Sequence, residues 1–221
     1  DKTHIALMGN HDYALLHGPR NFNPMAAEII ELTRQRMVPG DKDSELRETF
    51  EPDRFSCGHQ GAEPCCLLLK HDRSARWDFI EQLKVSHHEG KLLYVHASPL
   101  EPITEYVFPD RYQRYWDTER MTLMFEKTPW LAFCGHTHMP CAITDTFACI
   151  YPSDVNYRLK LDPQRKYIIN AGSVGQPRDG DPRSSYLLYD EEEQCVEWRR
   201  ISYDVDEAMK KIEAMCGGET W

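Results

Sequence analysis

The sequence predicts an α/β fold, and three features of the chain lead to this prediction. Two apolar runs, Leu92–Val95 and residues 130–133, have the length of buried strands, and each leads into a loop that carries histidine. Stretches with the spacing of amphipathic helices alternate with these runs, at residues 24–38, 74–83 and 118–127. From Cys141 onward, short alternating runs separated by turn residues indicate an antiparallel β region.

Other stretches complete this outline. Residues 4–8 predict a further buried strand, and residues 204–215 predict a final helix. The helix should turn four apolar side chains inward, namely Val205, Ala208, Met209 and Ile212. Residues 40–70 are polar and aperiodic, and we interpret them as a surface insertion in a single domain that spans residues 1–221. The aromatic stretch 101–117 fits either a loop that walls a pocket or a surface patch that packs on the domain.

Size and charge exclude several classes of function. At 221 residues and 25.9 kDa, the chain is long enough for one domain with a full hydrophobic core. Its 26 Lys and Arg against 36 Asp and Glu give a net charge of −10, which argues against nucleic acid as a bulk partner. A small anionic substrate remains compatible, because a bound metal ion reverses the local charge. No apolar run approaches the roughly 20 residues of a membrane span, so we predict no membrane partner.

The cysteines indicate a reducing compartment. The chain has 8 cysteines at irregular spacing, unlike the disulfide framework of a short secreted domain. Its first residues lack the character of a signal peptide, and we predict a cytoplasmic location. The group Cys57, His59, Cys65 and Cys66 could bind zinc but lacks the paired spacing of structural zinc sites, so we interpret these cysteines as reduced residues.

Polar side chains follow three of the predicted strands at their carboxyl ends, where open α/β sheets place their ligands. They are Asn10, His11, Asp12, His96, His136 and His138. If the loop after residue 133 is extended, His136 and His138 point to the same side. Imidazole nitrogens together with an amide oxygen suit Zn²⁺, Mn²⁺ or iron better than Ca²⁺ or Mg²⁺. We therefore predict a metal site formed by these loops.

Each motif by itself also has a purely structural interpretation. Two histidines two residues apart are more often surface residues than metal ligands. The Gly-Asn-His-Asp sequence at residues 9–12 fits a turn with an Asx cap equally well. The glycine-rich loop at residues 170–180 suits an anion held by backbone N–H groups and Arg178, or a hairpin connection with a surface arginine. The occurrence of histidines at several strand ends is what favours the metal site.

Taken in order, the motifs resemble those of the calcineurin-like metallophosphoesterases. Gly-Asn-His-Asp at residues 9–12, His-Ala-Ser-Pro at 96–99 and Gly-His-Thr-His at 135–138 carry the resemblance. The sequence Asn-Ala-Gly-Ser-Val-Gly-Gln-Pro-Arg, which begins at Asn170, is similar to the small bacterial and archaeal phosphodiesterase-like branch. The resemblance implies a β-sandwich flanked by helices in a four-layer αββα arrangement.

The resemblance also implies a set of metal ligands. Asn10, His96 and His136 would hold one ion, and His138 would belong to a second. In the family, strands that carry Asp-x-His and Gly-Asp precede Gly-Asn-His-Asp, and this sequence begins after them; Asp41 comes later and is no substitute. We therefore expect a longer chain that holds two divalent ions (Mn, Fe or Zn), of which these 221 residues hold at most one well.

The implied reaction is hydrolysis of a small phosphodiester by a hydroxide that the two metal ions activate. His11 would assist the leaving group, Asp12 would orient His11, and Arg178 is a candidate for contacting the substrate. Two alternatives stay open, a non-catalytic scaffold with this fold and a phosphomonoesterase or protein phosphatase with the same metal site.

Overall fold

A computed structural model describes residues 5–37, 73–112 and 116–215 of the chain. These residues belong to two compact units, unit 1 within residues 1–10 and 84–221 and unit 2 within residues 11–83. The predicted insertion at residues 40–70 and the group formed by Cys57, His59, Cys65 and Cys66 lie outside the described residues.

The described part of unit 2 is helical. It contains α1 (Asn10–His17), whose first residue belongs to unit 1, followed by α2 (Pro24–Met37) and α3 (Arg73–Glu81). The Asn-Pro pair starts α2 as its sequence predicts, because Ala26 N donates a hydrogen bond to the Oδ1 atom of Asn23 at 2.8 Å. Among the described residues of this unit, a buried cluster contains Ala14, Leu15, Ile30 and Ile80.

Unit 1 contains a mixed six-stranded sheet with the strand order β1-β2-β3-β7-β4-β5. The strands are β1 (Ser86–Glu89), β2 (Leu92–Val95), β3 (Leu131–Cys134), β4 (Cys141–Thr144), β5 (Cys149–Ile150) and β7 (Tyr167–Asn170). The central strands β2, β3 and β7 are parallel neighbours. Their carboxyl ends therefore meet at one edge of the sheet, which we call the carboxyl edge, and the predicted histidine loops begin there.

A second, three-stranded antiparallel sheet packs on one face of the first. It contains β6 (Arg158–Lys160), β9 (Cys195–Ile201) and β8 (Ser184–Asp190) in that order. Phe133 and Ile169 from the large sheet share a buried cluster with Val196 and Trp198 from the small sheet. The alternation of large apolar side chains along β3, β7 and β9 produces this contact.

The opposite face of the six-stranded sheet packs against helix α4 (Thr118–Lys127). The helix has the bounds that the sequence predicts, and the Asp117 carboxylate accepts a hydrogen bond from Arg120 N at its start. Met121, Met124 and Phe125 lie in one cluster with residues of the central strands. The predicted α/β class is confirmed, with a central sheet flanked by a helix and a second sheet. The chain ends its described part with α5 (Val205–Met215).

Some sequence-based expectations are wrong in detail. Residues 5–8 do not form a strand, because only Leu7 pairs, through a single bridge to Lys84, and no ladder forms. Asn10 starts a helix instead of lying in a loop, as suits a residue type favoured at helix N-termini. The region after Cys141 is not wholly antiparallel, since β7 pairs in parallel with β3.

The last helix also departs from its expected packing. Met209 and Ile212, which the periodicity turns inward, are 49% and 44% exposed. Amphipathic spacing shows that one helical face is apolar, but it does not supply the surface that would cover it. Across the described residues, no helix has the length and apolar character needed to cross a bilayer.

Candidate metal centre

Three side chains meet at the carboxyl edge of the six-stranded sheet in unit 1. Asn10 is the first residue of α1, His96 follows β2 directly, and His136 lies two residues beyond the end of β3. The Nε2 atom of His96 lies 3.0 Å from Asn10 Oδ1 and 3.0 Å from His136 Nδ1. The structure thus brings together the three residues that the sequence motifs assign to one metal ion.

The spacing of these atoms fits the coordination of one shared metal ion. Two donor atoms at about 2.1 Å from one ion and at a right angle to each other lie about 3.0 Å apart. The two separations from His96 Nε2 have this value. Within the described ranges, no group of three or more His, Cys, Asp and Glu side chains could hold a metal ion. The trio contains two imidazoles and one amide, a donor set that suits a borderline divalent ion and leaves coordination positions open.

Hydrogen bonding sets the orientation of His136. Its Nε2 atom lies 3.2 Å from the carbonyl oxygen of Thr104. A carbonyl oxygen can only accept, so Nε2 carries the proton and the lone pair of the neutral ring lies on Nδ1. Nδ1 is the atom that faces His96, and the lone pair is therefore directed into the trio.

His136 is also held in its neutral form. The pKa of His136 is lowered to about 4, mainly by burial and in addition by the charges of His96, His138 and Arg178, against the opposing effect of the Thr104 carbonyl. A metal ion binds the unprotonated ring, so a low pKa means that no proton has to be displaced at neutral pH.

The Thr104 carbonyl is fixed by a chain of polar contacts. The fully buried Ser98 donates its hydroxyl hydrogen to the Glu105 carboxylate and accepts a hydrogen bond from Glu101 N at 2.9 Å. The same Glu105 carboxylate accepts a hydrogen bond from Arg120 Nε at 2.6 Å. The turn that presents Thr104 to His136 is thereby tied to α4. Sequence motifs include Ser98 but gave no indication of Glu105 or Thr104, which carry no metal-binding signature.

Asn170 holds the turn that contains His136. Its side-chain amide nitrogen donates to the carbonyl oxygen of Gly135 at 2.7 Å and to Thr137 Oγ1 at 2.8 Å. Its Oδ1 atom accepts from Gly172 N at 2.8 Å. Gly172 has a φ of +84°, and a Cβ there would lie 2.6 Å from Ser185 Oγ, so glycine is required. An amide at the end of a central strand could have indicated this role.

His138 does not follow the expected extended geometry. Residues 136–138 form a turn, and His138 has a φ of +62°. The strand-like alternation that would align His136 and His138 therefore does not apply. His138 Nδ1 instead lies 2.7 Å from the carbonyl oxygen of Gln176, and Arg178 N donates to the His138 carbonyl oxygen at 3.3 Å. The exposed Arg178 side chain donates to Gln176 Oε1 at 2.7 Å.

His11 and Asp12 lie in unit 2, in the first turn of α1. The His11 ring makes an edge-on contact with Phe22 at a centroid distance of 5.1 Å. Asp12 at this position is favoured by the positive end of the helix dipole. The roles of both residues stay predictions.

Comparisons with known proteins agree with this architecture. No family model matches the chain. An uncharacterized protein of Methanocaldococcus jannaschii is 36% identical over 196 residues, which cover 84% of this chain and 73% of that protein. The crystal structure of a metallophosphoesterase from Sphaerobacter thermophilus matches with a TM-score of 0.62 and 27% identity, over 95% of this chain and 70% of that chain. The crystal structure of a hypothetical protein from Pyrococcus horikoshii OT3 matches with a TM-score of 0.58 over 97% of this chain and 69% of that chain, and at 11% identity it supports the fold alone.

Proposed function

Because the chain belongs to the calcineurin-like metallophosphoesterase superfamily, we propose that it is a metal-dependent hydrolase of phosphodiesters. The observation that carries this proposal is the convergence of Asn10, His96 and His136 at the carboxyl edge, with donor atoms 3.0 Å apart. These three residues lie at the start of a helix and just beyond two strands, and a shared metal ion gives a reason for their donor atoms to face one point.

The proposed ligands divide into two sets. Asn10 Oδ1, His96 Nε2 and His136 Nδ1 would hold one divalent ion, with Mn, Fe and Zn as candidates. His138 would contribute to a second ion through Nε2, since its Nδ1 faces the Gln176 carbonyl oxygen. Bound divalent ions supply Lewis acidity toward phosphoryl oxygens and lower the pKa of a water molecule.

Other residues of the chain would act on the substrate and the leaving group. Arg178 is exposed, and its charge acts on His136, so a phosphate at the trio would lie within the field of the guanidinium. For His11 we propose proton donation to the departing oxygen, with Asp12 holding the ring in the required tautomer.

Reconstitution tests the proposal. The full-length protein would be stripped of metal, loaded with Mn²⁺, Zn²⁺ or Fe²⁺, and assayed with bis(p-nitrophenyl) phosphate and p-nitrophenyl phosphate. We expect metal-dependent turnover with a preference for the diester. Tight metal binding without turnover of either ester would favour a non-catalytic scaffold, and faster turnover of the monoester would favour a phosphomonoesterase.

The His11→Ala variant tests the proposed proton donor. We expect kcat to fall roughly 100-fold or more, as is typical for loss of a general acid, with the metal content unchanged. His17→Ala, in the same helix α1, is the matched control and should keep wild-type turnover. Equal kcat in wild type and His11→Ala would remove His11 from the mechanism.

A further inference from the structure

An aromatic stack lies against the imidazole of His136. The Tyr106 ring centroid is 4.0 Å from that of His136, at an interplanar angle of 26°. The Phe108 ring follows at 5.0 Å from Tyr106, at an angle of 3°. Tyr106 is nonetheless 46% exposed. A large aromatic side chain with almost half of its surface in water therefore adjoins a proposed metal ligand.

The backbone holds this stack in place before any ligand binds. Along residues 106–109 exposed or half-buried side chains alternate with buried ones, as in an extended segment. Val107 is 6% exposed and Pro109 is fully buried, and these two residues anchor the segment in the core. Trp116 Nε1 adds a hydrogen bond of 3.0 Å to the Phe108 carbonyl oxygen. The alternation leaves Tyr106 and Phe108 together on the opposite side.

Packing of the segment does not account for the two stacked rings. Val107 and Pro109 already provide the buried contacts, whereas Tyr106 keeps an exposed aromatic surface. Preorganised aromatic side chains of this kind bind planar groups at low entropic cost, because their rings are rigid and already ordered. Stacking of a base on a protein aromatic ring typically changes affinity by about 5- to 100-fold on alanine substitution.

We propose that Tyr106 and Phe108 form a stacking subsite for a planar aromatic group carried by the phosphate of the substrate. An ester substituent on a phosphate at the trio would have the Tyr106 ring within reach, because that ring contacts His136. The substrate class is then an aryl or nucleoside phosphate ester of small size, because the net charge of −10 disfavours a long polynucleotide. This inference rests on the proposed function and narrows its substrate.

Calorimetric titration of the Mn²⁺-loaded protein tests the subsite. The probes are phenylphosphonate, cyclohexylphosphonate and methylphosphonate, whose P–C bonds are not cleaved by ester hydrolysis. We expect phenylphosphonate to bind about 5- to 100-fold more tightly than methylphosphonate, and cyclohexylphosphonate to gain less than the planar ring. Thymidine 5′-phosphate, used as a competitor of phenylphosphonate, shows whether a nucleobase uses the same ring surface as a simple aryl group.

Variants of Tyr106 distinguish stacking on the bound aryl group from a role in holding the His136 ring. Tyr106→Ala should abolish the preference for phenylphosphonate while methylphosphonate affinity changes less than about twofold, and Tyr106→Phe should keep the preference. Tyr186→Ala, a substitution of a 40% exposed tyrosine on the three-stranded sheet, is the matched control. Equal affinities for the three phosphonates in the wild type, or an equal loss for all of them in Tyr106→Ala, would overturn the inference.

The two proposals fail in different ways. The phosphonate affinities are measured without turnover, whereas the proposed function is tested by hydrolysis of bis(p-nitrophenyl) phosphate. Turnover without any phenyl preference refutes the stacking subsite alone. A phenyl preference that depends on Tyr106, in a metal-loaded protein that hydrolyses no ester, supports the subsite and refutes the hydrolase.

Discussion

His138 Nδ1 lies 2.7 Å from the carbonyl oxygen of Gln176. Because the carbonyl can only accept, the proton of the neutral ring is on Nδ1 and the lone pair is on Nε2. The contact also joins the histidine turn to the loop that carries Arg178, whose backbone N–H donates to the His138 carbonyl oxygen at 3.3 Å. The proposed metal ligand and the proposed substrate contact are thereby held by one local network, in the way that partners of metal ligands fix their tautomers.

Loss of a ligand in the trio should weaken metal binding. We expect the 221-residue chain to bind one ion tightly, and His96→Ala and His136→Ala to lower the affinity by about 100-fold or more, because each removes one of three donors. Calorimetry with Mn²⁺ and Zn²⁺ measures this. His88→Ala, an exposed histidine on β1, is the control. Unchanged affinity in both ligand variants, or two tight ions per chain, would contradict the assignment.

Glu105 should act on metal binding without touching the metal. In Glu105→Ala, the contacts from Ser98 and Arg120 that fix the turn presenting Thr104 to His136 are lost. We expect metal affinity to fall about 10- to 100-fold, the usual effect of removing a group that orients a ligand. Glu101→Ala, in the same turn and exposed, should bind metal like wild type. Wild-type affinity in Glu105→Ala would show that the Thr104 carbonyl needs no such support.

Arg200 and Asp179 form an ion pair, and losing one partner should destabilise the fold more than losing both. The Arg200 side chain is 5% exposed and contacts the Asp179 carboxylate, which is 19% exposed. Removing one partner leaves a largely buried charge, so we expect Arg200→Met to lower the unfolding free energy by about 3 kcal/mol. The double variant Asp179→Asn with Arg200→Met should recover much of this loss.

Urea denaturation measures these differences. Arg199→Ala, which breaks a pair of half-exposed side chains with Glu197, is the neighbouring control and should cost less than about 1 kcal/mol. If the double variant is no more stable than Arg200→Met, the loss of unfolding free energy comes from the changed shape of the side chain and not from the unpaired Asp179 charge.

His136 should make the metal-free protein sensitive to acid. Its pKa of about 4 in the folded state lies below the roughly 6.5 of an unfolded chain. The unfolded state therefore takes up the proton first, and stability is full above about pH 6.5 and is lost as the pH falls toward about 4. We expect a loss of up to about 3 kcal/mol over this window, and a smaller loss in His136→Gln.

The measurement is the urea midpoint of EDTA-treated protein between pH 7.5 and 4.5. The difference between wild type and His136→Gln isolates the contribution of this ring from that of other titrating groups. Parallel pH profiles for the two proteins would rule out a lowered pKa for His136.

The sequence by itself determined the helices and strands that depend on neighbouring residues along the chain. The bounds of α4 and the start of α2 follow from capping residues and helical spacing. The short apolar runs at β2 and β3 also predict buried strands that end next to histidine. The residue types of the metal centre, two imidazoles and an amide, were evident for the same reason, since each follows or starts an element.

Only the tertiary structure decided which atoms meet. Asn10 and His96 are 86 residues apart, and the fold of unit 1 is what brings their side chains into contact. The tautomers of His136 and His138 depend on the carbonyls of Thr104 and Gln176, which are 32 and 38 residues away. Strand register and the path of each loop depend on the burial of apolar side chains throughout the core. A local pattern identifies the side chains that can bind a metal, but it does not specify the distances between them.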